Sequence, residues 1–286
     1  MFRNLSTGTI SVKATLTEAI SYAAENGFDG VDFSVAEAKM LADEKGIDHV
    51  RRLFQSAGVR PGSWGFPVDF RGDEATWRAG LDVLPGQAAF ARDLGCTRTA
   101  TWIAPGDNER NYFENFQFHV SRLRPAAQIL ADHGIRFGLE WVGPKTLRAT
   151  RKHAFLHTMD GMRALGAAIG TGNVGLLVDI WHIYTAHGQW DDIRELSAEE
   201  VVVVHVNDAP PGLTIDEQLD QVRALPGETG VLDIAGFLHA LRDIGYDGPV
   251  TAEPFSQRVR DLPPAQAVAA TAEAMKKIWQ LADLPG

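Results

Sequence analysis

Cysteine is almost absent from this sequence of 286 residues, which contains only Cys96. A single cysteine excludes an intrachain disulfide and a zinc site built from several thiolates. It also agrees with a reducing compartment, in which thiols stay unpaired. The sequence begins MFRNLSTGTISV and lacks the long apolar stretch of a signal peptide, so we expect a cytoplasmic protein.

Positive charge and long apolar runs are also scarce. The sequence contains 27 Lys and Arg residues and 37 Asp and Glu residues, which gives a net charge of −10. Such a chain repels phosphate backbones and anionic membrane surfaces. No window approaches the ~18 apolar residues that a membrane-spanning helix requires. We therefore expect a small-molecule partner that is neutral or locally recognised, and neither nucleic acid nor membrane.

The sequence does contain a regular alternation of short β-rich runs with longer helical patterns. The eight β-rich runs are TISV at 9–12, GVDFS at 30–34, VRPGSW at 59–64, TRTATWI at 97–103, IRFGLEW at 135–141, NVGLLVDIW at 173–181, VVVVHVND at 201–208 and PVTAEPF at 249–255. A run such as VVVV indicates burial on both faces, as in a parallel sheet covered by crossover helices. Eight such units predict an α/β fold, a (β/α)8 TIM barrel, in one domain over residues 1–286.

An open nucleotide-binding sheet is the competing architecture, because Gly170, Gly172 and Gly175 match the pattern G-x-G-x-x-G. That motif requires a strand before the glycines and a helix after them. Here a helical pattern precedes and the run GLLVD follows. We predict that these glycines form a helix-to-strand turn, which disfavours a dehydrogenase.

Four consecutive predicted strands end in a side chain that can bind a metal. Parallel barrel strands bring their carboxyl ends to one face, so these residues should converge there. Buried carboxylates repel one another, and a divalent cation would offset both their burial and their repulsion. Three carboxylates and an imidazole suit manganese, magnesium, cobalt or zinc, whereas the lack of thiolates argues against a purely structural zinc site. The four residues are Glu140, Asp179, His205 and Glu253.

The segments GLEW, VDIWH, VHVND, LPGETGVLD and YDGPVTAEPF resemble the sugar isomerase and epimerase barrels, a family related to xylose isomerase and endonuclease IV. The resemblance includes D-tagatose 3-epimerase, inosose isomerase and hydroxypyruvate isomerase, and covers nearly the whole chain in its strand and helix order. It implies that Glu140, Asp179, His205 and Glu253 bind one divalent ion, with Mn²⁺ expected first. It also implies that His182 contacts substrate.

Two positions depart from the 3-epimerases. Those enzymes have a second glutamate and an arginine at positions where this sequence has Thr146 and Pro211. Arg223 is the nearest substitute anchor for a substrate hydroxyl or phosphate. Its alternative role is a surface salt bridge with Glu228 or Asp220.

Isomerisation and epimerisation both begin with removal of a weakly acidic proton beside a carbonyl. Glu140 and Glu253 are the natural pair to remove and return that proton, while Asp179 and His205 hold the metal. Near other predicted strand ends, Trp64 and Trp102 are candidates for an apolar wall against a sugar face, as are Phe66, Trp141 and Trp181. Lys145 lies in a basic loop that forms either a lid over the substrate or a solvated surface.

The sequence leaves other functions open. The same proton abstraction leads to β-elimination or hydration when a leaving group lies β to the carbonyl, so a lyase acting on a keto-sugar is the main alternative. An endonuclease IV-like repair enzyme would need more clustered histidines and a basic face. A sugar-binding barrel without catalysis is the last alternative. Oligomeric state is also open, although by resemblance such barrels pair through rim loops.

Overall fold

The computed structural model describes residues 1–285. Its strands are β1 (Phe2–Leu5), β2 (Gly30–Phe33), β3 (Arg60–Gly65), β4 (Arg98–Ile103), β5 (Gly106–Asp107), β6 (Arg136–Trp141), β7 (His153–Ala154), β8 (Val174–Asp179), β9 (Val201–Val206) and β10 (Pro249–Ala252). Its helices are α1 (Leu16–Glu25), α2 (Val35–Lys45), α3 (Ile47–Ala57), α4 (Glu74–Asp93), α5 (Tyr112–Asp132), α6 (Lys145–Arg148), α7 (Met159–Ile169), α8 (Ile180–Thr185), α9 (Asp191–Arg194), α10 (Ile234–Asp243), α11 (Gln257–Arg260) and α12 (Pro264–Leu281).

Eight parallel strands close into a barrel in the order β1, β2, β3, β4, β6, β8, β9 and β10. Closure is made by β1 against β10, with Phe2 opposite Pro249 and Asn4 opposite Thr251. The two short strands β5 and β7 form a separate antiparallel pair outside the barrel. The predicted (β/α)8 barrel is confirmed.

The first strand lies earlier in the chain than the sequence suggests, so the assignment of β1 to residues 9–12 is wrong. Phe2–Leu5 pairs with both β10 and β2, although it contains two polar residues in four. Asn4 is buried because its amide bonds to Asp32 and Thr251 inside the barrel. Ile10 and Val12 lie in a loop, and their apolar side chains are buried in the core.

The other seven predicted strands are present, most of them a few residues shorter than the runs that predicted them. Gly170 and Gly172 form a turn between α7 and β8, as predicted, with φ of 77° and 81°. A positive φ of this kind costs glycine little and strains residues with a Cβ atom. The assignment of Gly175 to that turn is wrong, because it lies within β8 and pairs with Gly138 of β6. No helix in residues 1–285 has both the length and the apolar character needed to cross a membrane.

Candidate metal centre and active site

The carboxyl ends of four neighbouring strands supply the central cluster. Glu140 lies in β6, Asp179 ends β8, His205 lies in β9, and Glu253 directly follows β10. The register places Asp179 opposite His205, and the Glu253 amide donates to the carbonyl of Val206 at 3.0 Å. Because these strands are adjacent and parallel, their last inward-facing side chains meet at one end of the barrel.

One ligand atom from each of the four side chains lies within 4.8 Å of the others. His205 is central: its Nδ1 lies 3.8 Å from Glu140 Oε1 and 3.5 Å from Glu253 Oε1. Glu140 Oε1 and His205 Nδ1 are buried and have no hydrogen-bond partner. Buried polar atoms without partners are costly, so this arrangement fits a cation that both atoms would bind.

Asp179 is fully buried and held from three directions. Its Oδ1 accepts from the Trp181 amide at 2.8 Å and from Asn207 Nδ2 at 3.0 Å. Its Oδ2 accepts from Arg223 Nη1 at 2.8 Å. These donors fix the carboxylate in one orientation, which is what a ligand needs from the residues around it.

Arg223 is buried, and nearly all of its N–H groups are used by acidic or carbonyl oxygens. Its Nη1 donates to Asp179 Oδ2 and to Glu253 Oε2, the latter at 3.0 Å. Its Nε and Nη2 donate to the backbone carbonyl and the carboxylate of Asp220, both at 2.9 Å. The guanidinium therefore neutralises and orients two of the four cluster residues. The alternative salt bridge with Asp220 is also present, but it is buried and not at the surface.

The charges of this cluster shift its titration strongly. Burial, followed by the charge of Glu253, raises the pKa of Glu140 well above its usual value. Burial would also raise the pKa of Glu253, but His205 and Arg223 hold that pKa below its usual value. Burial would lower the pKa of His205, yet Glu253 and Glu140 outweigh it and raise that pKa to about 10. Without a metal, a proton on His205 supplies part of the positive charge that the site demands.

His182 lies in the first turn of the helix that follows Asp179 and is buried beside the cluster. Its Nε2 lies 3.7 Å from Glu140 Oε1, and its Nδ1 accepts from the Gly143 amide at 3.2 Å. Burial lowers the pKa of His182 to about 3, so the ring is neutral at ordinary pH. Since Nδ1 is the acceptor, Nε2 carries the hydrogen and can donate toward the cluster. His182 thus lies beside the cluster, and its contact with substrate stays a prediction.

A cavity of about 580 Å³ opens beside the cluster, on the side of β1, β2 and β3. His205 is the member of the cluster that lines it, and Trp64 and Phe66 form part of its wall. Trp141 and Trp181 are buried and do not line it.

Of the five residues predicted to bind substrate, Trp64 alone lines this cavity. His182 and Arg223 lie outside it beside the cluster, and Trp102 and Lys145 also lie outside it. Trp102 lies near the end of β4, is 48% exposed, and has the guanidinium of Arg71 over its ring at 4.1 Å. Lys145 pairs with Asp216, with 2.6 Å between Nζ and Oδ2, and Asp216 in turn contacts His187. The basic loop is therefore tied to the loop after β9. Whether it moves as a lid stays a prediction.

Several polar residues of the site were not singled out from the sequence. Asn207 orients Asp179, and it directly follows the strand of His205 in the run VHVND. Asp32 and Ser63 line the cavity beside Trp64. Asp32 is a lone acid at the end of an apolar strand, GVDF, and the argument that identified Glu140 would also have found it.

Fold and site together define a class: a (β/α)8 barrel with a three-carboxylate and histidine cluster at the carboxyl ends of its strands. A family model described as xylose isomerase-like TIM barrel matches residues 20–278. The chain belongs to this family.

The similar proteins are enzymes. The chain is 22% identical to inosose isomerase of Halalkalibacterium halodurans over 89% of this chain and 88% of that protein. It is 28% identical to 3-dehydroshikimate dehydratase of Pseudomonas aeruginosa over 90% of this chain, but spans only 39% of that protein. The predicted resemblance to isomerase and epimerase barrels is confirmed.

Two solved structures share the whole barrel. A xylose isomerase domain protein from Alicyclobacillus acidocaldarius superposes with a TM-score of 0.86 at 29% identity, covering 98% of this chain and 99% of that chain. The IolI protein with a bound zinc atom superposes with a TM-score of 0.78 at 18% identity, covering 97% and 98%. At that lower identity the second likeness shows the fold alone.

Proposed function

We propose that this protein is a divalent-metal-dependent sugar isomerase or epimerase that removes a proton next to the carbonyl of a ketose or keto-sugar. The observation that carries the proposal is the four-residue cluster beside the cavity, with two buried ligand atoms that no protein group satisfies. Its partner is a small sugar, with neither nucleic acid nor membrane involved. We expect it to act in the cytoplasm.

The proposed metal ligands are Glu140, Asp179, His205 and Glu253. Three carboxylates and one imidazole are a mixed oxygen and nitrogen donor set, for which we expect Mn²⁺, with Mg²⁺, Co²⁺ and Zn²⁺ as alternatives. Zinc has a specific precedent in the similarly folded IolI structure. When bound, such an ion polarises a carbonyl and stabilises the negative charge that develops on its oxygen.

The protein's own residues move the proton. Glu140 and Glu253 flank His205, so their carboxylates can reach a substrate carbon from different directions. One removes the proton and the other returns it, to the neighbouring carbon in isomerisation or to the opposite face in epimerisation. His182 donates its Nε2 hydrogen to a substrate hydroxyl or oxyanion, and Arg223 keeps Asp179 and Glu253 in place.

Beta-elimination on a keto-sugar is the second candidate. The dehydratase relative, aligned over 90% of this chain, favours it, because proton abstraction beside a carbonyl precedes loss of a β-hydroxyl. The epimerase anchors are also missing: Thr146 donates to the Gln218 carbonyl at 2.7 Å, and Pro211 has no side-chain donor.

Hydrogen/deuterium exchange at substrate carbon tests the proposal. The Mn²⁺-loaded protein is incubated in D₂O with ketoses and 3-keto sugars, and exchange and products are followed by NMR. We expect exchange that Glu253→Gln abolishes and that Glu273→Gln, at an exposed helix position, retains. The product then distinguishes isomerisation, epimerisation and elimination. Stoichiometric metal binding with no exchange in any substrate would contradict proton abstraction, and failure to bind metal would contradict the site itself.

A further inference from the structure

The cavity beside the cluster is lined without positive side chains. Among residues 1–285, its ionisable lining consists of Asp32, Glu37 and His205, with no lysine or arginine. The remainder is apolar or carries hydroxyl and amide groups. A phosphate or carboxylate in this space would meet two acidic side chains and no cation apart from the cluster itself, which is costly.

Asp32 is held rigidly by one of its two oxygens. Its Oδ1 accepts from Asn4 Nδ2 at 2.7 Å, from the Ser63 amide at 2.7 Å and from the Ser63 hydroxyl at 2.9 Å. Its Oδ2 accepts no hydrogen bond from residues 1–285, and no cation pairs with it there. Burial raises the pKa of Asp32 despite the donors from Asn4 and Ser63. A carboxylate fixed in this way presents an acceptor to the cavity.

Trp64 supplies a donor in the same wall. Its ring is buried, it lines the cavity, and its Nε1 has no acceptor. A buried indole N–H normally finds a partner when the site is complete. Trp64 lies in β3, which pairs directly with β2, the strand of Asp32. The unpaired acceptor and the unpaired donor thus belong to residues that lie on adjacent strands and line one cavity. Together they match a hydroxyl group, which both donates and accepts.

We propose that Asp32 and Trp64 form a hydroxyl-binding subsite that selects a neutral, polyhydroxylated substrate over one that ends in phosphate or carboxylate. The assignment rests on the proposed function, which places the reacting carbonyl at the four-residue cluster. The subsite holds the hydroxyl-bearing end of the same molecule, with Asp32 Oδ2 accepting and Trp64 Nε1 donating. Substrate class is then decided in the first half of the barrel and chemistry in the second.

Binding of unreactive polyols tests the subsite apart from catalysis. Xylitol and myo-inositol lack a carbonyl, so their affinity for the Mn²⁺-loaded protein is measured by calorimetry whether or not turnover occurs. We expect Asp32→Asn to weaken polyol binding by about 10- to 100-fold, because a hydrogen bond to a charged group is lost. Trp64→Phe, which keeps the ring and removes the N–H, should weaken it by about threefold to tenfold.

Two controls remove the same chemical groups elsewhere. Asp43→Asn lies in an exposed pair with Lys39, and Trp190→Phe lies outside the cavity. Both should bind polyol within about twofold of the unchanged protein, and the affinity for Mn²⁺ should be the same in all variants.

Three results would overturn the subsite. The first is no polyol binding by the unchanged protein, and the second is polyol binding by Asp32→Asn and Trp64→Phe that equals that of the unchanged protein. The third is tighter binding of gluconate or fructose 6-phosphate than of either polyol. Should Asp32→Asn fail to fold, Trp64→Phe decides alone. The proposed function fails separately, through absent metal binding or absent exchange at carbon. An enzyme that exchanges protons only in phosphorylated or carboxylated ketones would retain the function and lose the subsite.

Discussion

Arg223 is a buried cation whose neighbours are carboxylates. It contacts Asp179, Glu253 and Asp220, while its guanidinium also lies over the rings of Phe255 and Trp181. Burying an arginine is costly, and the three acids offset that cost. The same acids would repel one another without it, so Arg223 serves as a permanent counter-charge beside the metal centre.

Replacing Arg223 with methionine should destabilise the metal-free protein by about 3 kcal/mol, because the buried acids lose their cation. Chemical denaturation measures the loss. Arg258→Met is the matched control: its exposed pair with Glu228 should contribute under about 1 kcal/mol. Mn²⁺ should restore more stability to Arg223→Met than to the control. Equal losses in the two variants would show that Arg223 is not the counter-charge of the cluster.

His119 is a buried ionisable residue of α5, outside the cluster. It lies among Phe70, Phe118 and Phe155, and its Nδ1 contacts the Asn115 carbonyl at 2.8 Å. Burial lowers its pKa to about 4. The folded protein therefore resists protonating this ring, whereas the unfolded chain protonates near the ordinary histidine pKa of about 6.5.

The protein should lose stability through His119 as the pH falls from about 6.5 to about 4, because the unfolded state binds the proton first. The slope from this group approaches about 1.4 kcal/mol per pH unit within that window. Free energies of unfolding measured at several pH values should give a shallower slope for His119→Gln. His49→Gln, on a partly exposed part of α3, should keep the original slope. A slope unchanged by His119→Gln would contradict the assignment.

At the level of elements, the loop between β9 and α10 is organised by Asp208. Its backbone pairs with Ala224 in both directions, at 2.8 and 3.0 Å. Its carboxylate accepts from the amides of Ala209, Thr229, Gly230 and Leu232. Asp208 therefore fixes the chain that directly follows Arg223, and this helps to hold the guanidinium at the cluster.

Asp208→Asn should destabilise the protein by about 2 kcal/mol, since an amide replaces one oxygen and leaves backbone N–H groups unpaired. Hydrogen exchange followed by mass spectrometry should show that Asp208→Asn speeds exchange in residues 224–232, relative to the unchanged protein, more than it does in α10. Asp43→Asn, at an exposed helix position, should change neither quantity. Unaltered exchange in that loop would mean that Asp208 does not hold it.

At the scale of the whole molecule, the cluster joins four strands that are separate in the chain. The ligands span from residue 140 to residue 253, and three intervening crossover segments must fold before they meet. A bound ion would link β6, β8, β9 and the end of β10. Anything that binds only the folded state stabilises it by mass action.

Mn²⁺ at about 100 times its dissociation constant should stabilise the protein by about 2.7 kcal/mol. For a chain of this size that corresponds to a rise in Tm of about 5–10 °C, which EDTA should reverse. Thermal unfolding should show the rise in the unchanged protein and in His49→Gln, and no rise in His205→Gln. A full shift in His205→Gln would place the ion elsewhere.

The sequence by itself determined the barrel, because the period of strands and helices and the apolar character of each strand are local properties. It also determined the convergence of Glu140, Asp179, His205 and Glu253, since parallel strands bring their carboxyl ends to one face. Tertiary structure alone decided the rest. The half-polar segment Phe2–Leu5 forms β1 because Asn4 finds partners across the barrel. Arg223 reaches the cluster because Asp208 holds the chain that follows it. Such contacts join residues far apart in the chain, and no local pattern specifies them.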